Sequence, residues 1–86
     1  MKMYRVTVLY EGHDVSKDRR IEEVVGEKHF EGSGFEFRNG ERELTFTFRA
    51  KKQALKAAAR VRNSVHGVRA HVELDHEPPD GYEEEE

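Results

Sequence analysis

The sequence predicts an α+β domain whose elements run strand, helix, strand, strand, helix, strand. Three observations predict it. Apolar residues alternate with period 2 in YRVTVLY (4–10), FEFRNGERELTFTF (35–48) and VRAHVEL (68–74). Asn39-Gly40 divides the second of these runs in two, and KKQALKAAARVRNSVHG (51–67) carries an apolar stripe at helical spacing. At 86 residues the chain has room for one domain and one small core.

In the first strand Tyr4, Val6, Val8 and Tyr10 share one face, and Arg5, Thr7 and Leu9 the other. EGHDVSKDRR then supplies turn and helix-start residues. Ile21, Val24 and Val25 follow at helical spacing, with Gly26 where a C-terminal cap would end the helix. A strand through RIEEVVGEKHF is the rival reading, one that Val24, Val25 and Phe30 would tolerate.

Asn39-Gly40 predicts a two-residue type I′ hairpin, because both central residues of that turn take positive φ. It sets Arg38 opposite Glu41, Phe37 opposite Arg42 and Phe35 opposite Leu44. Phe35, Phe37, Leu44, Phe46 and Phe48 then share a face. Phe30 joins them only if the strand shifts by one residue, for which Gly32-Ser33-Gly34 is a fitting place. In the second helix Ala54, Leu55, Ala58, Val61 and Val65 form the stripe, Gly67 marks the end, and Ala50 is a poor capping residue at the start. In the last strand Val68, Ala70, Val72 and Leu74 face in, and Arg69, His71, Glu73 and Asp75 face out.

This βαββαβ order in a chain of this size resembles the ferredoxin-like plait. The resemblance implies one antiparallel sheet ordered 4-1-3-2 with both helices on one face. That fold hosts many unrelated functions, so it assigns none. The acylphosphatases share the plait, but YEGHDVSKDRR, with Gly12, Arg19 and Arg20, lacks their phosphate-loop pattern. The folded domain is expected over residues 1–76, with a disordered acidic tail over 77–86.

Composition narrows the chemistry. The absence of cysteine excludes disulfides, thiol catalysis and cysteine zinc sites. MKMYRVTVLY has a short apolar run broken by Arg5 and Thr7, so a soluble cytoplasmic protein is expected. His71, Glu73 and Asp75 share a strand face at about 7 Å intervals, too wide for one ion, and no metal or cofactor is expected. No histidine, serine or carboxylate stands in a catalytic motif, so the chain is expected not to be an enzyme.

The charge map is uneven beneath a net charge of −3. Between Leu44 and Val72 there are seven basic residues (Arg49, Lys51, Lys52, Lys56, Arg60, Arg62, Arg69) and no acid. From Glu73 onward there are eight acids and no Lys or Arg. The simplest account is a solvated helix and a solvated tail. The functional account makes Lys51, Lys52, Lys56 and Arg60 a partner-binding surface for an acidic macromolecule, with the tail as internal competitor.

A protein partner is favoured. RNA reading on the sheet would need exposed aromatics where this register puts Arg5, Thr7, Leu9, Glu43, Thr45, Thr47 and Arg49. The expectation is a small non-catalytic binding or regulatory protein, monomer or homodimer, of the bacterial or phage accessory type. The alternatives are nucleic-acid binding through the same helix and a small enzyme with no visible motif.

Overall fold

A computed structural model describes residues 3–76, with side chains through Leu74. The elements are β1 (Met3–Glu11), α1 (Val15–Val25), a 3₁₀ turn (Glu27–His29), β2 (Phe30–Glu36), β3 (Glu41–Phe48), α2 (Lys51–Ser64) and β4 (Arg69–His76). The expected tail, 77–86, lies outside the described residues. No helix among the described residues is long and apolar enough to cross a membrane.

The four strands form one sheet ordered β2-β3-β1-β4, with every neighbouring pair antiparallel. Read from the other edge, this is the expected 4-1-3-2. The alternation sets the faces: Val6 lies between Phe46 and Val72, and Val8 between Leu44 and Ala70. Val6, Val8, Leu44 and Phe46 are fully buried in one cluster with Ile21 and Val25 of α1 and Ala54, Ala57, Ala58 and Val61 of α2. Both helices therefore cover the same sheet face. Each large side chain so buried contributes roughly 1.5–3 kcal/mol, so these few positions carry most of the fold.

Residues 15–25 are helix, not strand. Asp14 decides the start: its Oδ1 accepts from the backbone N–H groups of Ser16 (2.9 Å) and Lys17 (3.2 Å). Gly26, at φ 117°, ends it in a conformation that only glycine adopts without strain. At α2, Ala50 makes no side-chain cap, as the sequence implied.

Four details differ from the sequence reading. The hairpin register is offset by two residues: Phe35 pairs with Arg42 and Glu36 with Glu41, leaving a four-residue loop from Phe37 to Gly40. No non-glycine residue among those described has positive φ, so Asn39 does not adopt the type I′ conformation. Its Oδ1 instead accepts from Glu41 N–H (3.2 Å), and Gly40 N–H closes the loop on the Glu36 carbonyl (2.8 Å). A shift of two keeps every side chain on its predicted face, but it strands Phe37 in the loop, 87% exposed.

The other three concern burial. Leu55 is 50% exposed, and Ala57 is buried in its place, because the stripe centres on 54, 57, 58 and 61. Thr7, on the open face, is buried by the flanking strands, with Thr45 on one side and His71 on the other. Leu74 keeps its inward face, opposite Tyr4, but on the edge strand it stays half exposed. The irregularity between Phe30 and Gly32 is the one-residue shift that Phe30 required: its ring meets Phe46 edge-on, centroids 5.6 Å apart.

Candidate functional site

Of the proposed binding residues, Lys52, Lys56 and Arg60 follow one another at four-residue spacing along α2, and Lys51 lies off that row. Successive residues of α2 turn by about 100°, so its buried stripe leaves two flanks and a crest. Lys56 and Arg60 fall on the flank facing α1, and Lys52 on the crest. Lys51 falls on the opposite flank with Arg62, whose Nη1 donates to the Ala70 carbonyl of β4 (2.7 Å).

Lys56 and Arg60 line a cleft of about 370 Å³ between α2 and the end of α1. Its floor is apolar: Val25, Phe48 and Ala57 are all buried there. Lys28, from the 3₁₀ turn, supplies the third cation of the rim, and Gln53 adds an amide. Among the described residues, no carboxylate lies within ion-pair distance of Lys28, Lys52, Lys56 or Arg60.

His29 forms one wall of the cleft. Its ring stacks on Phe48 with centroids 4.0 Å apart, and its Nδ1 lies 3.1 Å from the Thr47 carbonyl oxygen. A carbonyl only accepts, so Nδ1 carries the proton and holds the ring in place. Arg60 Nη1 donates to the Val24 carbonyl (3.3 Å), a group that the end of α1 leaves without a helical partner. The cleft is thus built from residues far apart in sequence, held by one ring stack and two hydrogen bonds.

A second polar assembly lies at the hairpin end, and the sequence reading missed it. Tyr10 Oη donates to Asp18 Oδ1 (2.5 Å), while Arg42 binds Asp18 Oδ2 through Nε and Nη2, both at 3.0 Å. Arg42 also donates to the Gly34 carbonyl and to Ser33 Oγ, each at 3.3 Å. His13 Nε2 approaches Asp18 Oδ2 at 3.7 Å from the solvent side. Burial and the hydrogen bond to Asp18 push the Tyr10 phenol up to about 12.

The signal for this cluster was in the alternation. Arg42 shares the inward parity of Leu44, Phe46 and Phe48, and Asp18 precedes Ile21 and Val25 on the buried face of α1. An inward arginine demands an inward acid.

The open sheet face offers a different environment. A cleft of about 420 Å³ near the hairpin is lined by Glu36, Glu41 and Glu43 beside Leu9 and Gly34. Arg69 pairs with Glu41, and Arg5 Nε lies 3.3 Å from Glu31. The aromatic side chains of β1 and β3 are on the other face, buried under the helices. No group of three or more metal-binding side chains is present among the described residues. No family model, curated protein or solved structure matches the chain.

Proposed function

We propose that this chain is a small non-catalytic binding module with the ferredoxin-like plait, engaging an acidic protein segment through the cleft between α1 and α2. The observation that carries this reading is the cleft itself. Three cations without an acidic partner among the described residues stand over a floor of buried apolar side chains. Such a site suits an apolar side chain flanked by carboxylates: the floor excludes water from the anchor, and the rim matches the charge. The sequence expectation named Lys51, Lys52, Lys56 and Arg60; Lys56 and Arg60 stay at the centre of the proposed site, Lys28 joins them, and Lys52 lies outside the cleft, one turn from Lys56, where it steers.

A phosphate-tracking nucleic-acid reading is favoured by one feature: α2 carries five cations and no acid. Against it, Lys51 and Arg62 lie on the other flank of α2 from Arg60, and the floor of Val25, Phe48 and Ala57 suits an apolar side chain better than a phosphate backbone. The two readings separate in one titration. An acidic peptide with a single phenylalanine should saturate the site and lose at least about tenfold in affinity when Lys52 and Lys56 are both changed to Glu, with association slowed most. A 12-nucleotide single strand that binds more tightly than the peptide, with a steep salt slope, would replace the protein reading with the nucleic-acid one. Unchanged peptide affinity in the Lys52→Glu, Lys56→Glu variant would place the interface elsewhere.

A further inference from the structure

The cleft calls for an aromatic or aliphatic anchor followed by acid, and this chain carries such a segment. Residues 81–86 read Gly-Tyr-Glu-Glu-Glu-Glu, and Tyr82 is the one aromatic beyond β4. Resting on the reading above, we propose that the cleft is also the docking site of the chain's own C-terminal segment. The floor of Val25, Phe48 and Ala57 fits the ring of Tyr82, and Lys28, Lys56 and Arg60 match the charge of Glu83–Glu86. The tail is then a tethered competitor of the external partner.

Reach supports this assignment. β4 ends at His76, whose Cα partner in β1 is Met3, and the adjacent Tyr4 faces Phe48 of β3. Phe48 lines the cleft, so the end of β4 and the cleft lie at the same end of the sheet, about 10 Å apart across two strand spacings. The six residues from His76 to Tyr82 can span up to about 20 Å.

The alternative on this molecule fits an acidic segment less well. The open-face cleft is lined by Glu36, Glu41 and Glu43, which repel it. Tethering gives the segment an effective concentration of millimolar order, so even a weak contact is populated. Each exposed ion pair adds little, and the tail therefore tunes the site rather than closing it.

The test uses the full chain, whose lack of cysteine lets one nitroxide be placed at Asp80→Cys. The expected result is broadening of the Gly26, Lys28, Gln53 and Ala57 amide signals. It should vanish on reduction of the label, weaken with salt, and be lost when Tyr82→Ala is combined with Glu83→Gln, Glu84→Gln, Glu85→Gln and Glu86→Gln. The same tail-neutral chain should bind an external peptide of phenylalanine followed by six glutamates at least about twofold more tightly than the native chain.

Broadening that falls instead on the open face overturns the proposal. So does broadening that appears only when the label and the observed nuclei are on different copies of the chain. If the cleft signals stay sharp while the external peptide still binds and is lost with Lys56→Glu, the tail assignment fails and the binding reading stands. If the peptide fails to bind even the tail-neutral chain, both fail.

Discussion

The helical layer carries charge at both ends, and the two ends treat it differently. At the hairpin end Asp18 is enclosed: Tyr10 donates to one oxygen, Arg42 to the other, and Arg42 reaches on to Gly34 and Ser33. At the Phe48 end Lys28, Lys56 and Arg60 stand over an apolar floor with no described carboxylate beside them. Desolvated charge that is fully partnered fixes elements to one another, whereas exposed charge costs the fold little and stays available to another molecule. The first region holds the elements together, and the second leaves its cations open, which is what the proposed contact rests on.

Substitutions should therefore separate the two regions. The largest effect is expected at Asp18→Ala, which removes the one carboxylate opposite the Arg42 guanidinium and leaves Arg42 only the Gly34 carbonyl and Ser33 Oγ, and Tyr10 only the Asp14 carbonyl. Chemical denaturation should register a loss of about 3–5 kcal/mol, with binding of the acidic peptide unchanged where the variant is folded. A loss under 1 kcal/mol would mean that the cluster is not the clamp its geometry implies.

The next effect is in pH. The folded Tyr10 phenol titrates at about 12 against an ordinary value near 10, so the unfolded chain releases this proton first. The corresponding stability is fully present below pH 10 and is lost as the pH rises through 12, by roughly 2 kcal/mol from this group. Denaturation midpoints across pH 9–12 check the sign, and tyrosinate absorbance should show the Tyr10 transition move down toward 10 in Asp18→Asn.

Lys56→Gln should do the reverse of Asp18→Ala. It should leave stability within about 0.5 kcal/mol of the native chain and weaken the acidic peptide several-fold, as read by calorimetry. The smallest effect belongs to Phe37→Ser. The ring is 87% exposed and meets Phe35 edge-on at 5.0 Å, so denaturation should shift by no more than about 0.5 kcal/mol.

Much of the fold was legible in the sequence, because alternation in a strand determines which side chains face in regardless of register details. The hairpin illustrates both the strength and the limit of this. Asn39-Gly40 located the turn, but a shift of two residues changes every partner while changing no face, and periodicity is blind to it. The basic character of α2 was equally plain. That Lys56 and Arg60 meet Lys28 and His29 while Lys51 turns away depends on how the end of α1 packs against α2, which no local pattern encodes. The Tyr10–Asp18–Arg42 cluster was legible in principle, since two charged residues sit at inward-facing positions; treating charge as a surface property concealed it.

The bond from Arg62 to the Ala70 carbonyl bears on how this protein meets its own kind. β4 is an edge of the sheet, and an edge with idle carbonyls invites a foreign strand to extend the ladder. Here a guanidinium occupies one acceptor near the start of that edge, so an incoming strand must displace a charged donor before it can pair. That acceptor is the point on the β4 edge where an added strand meets resistance, and the β2 edge on the far side of the sheet has no part in it.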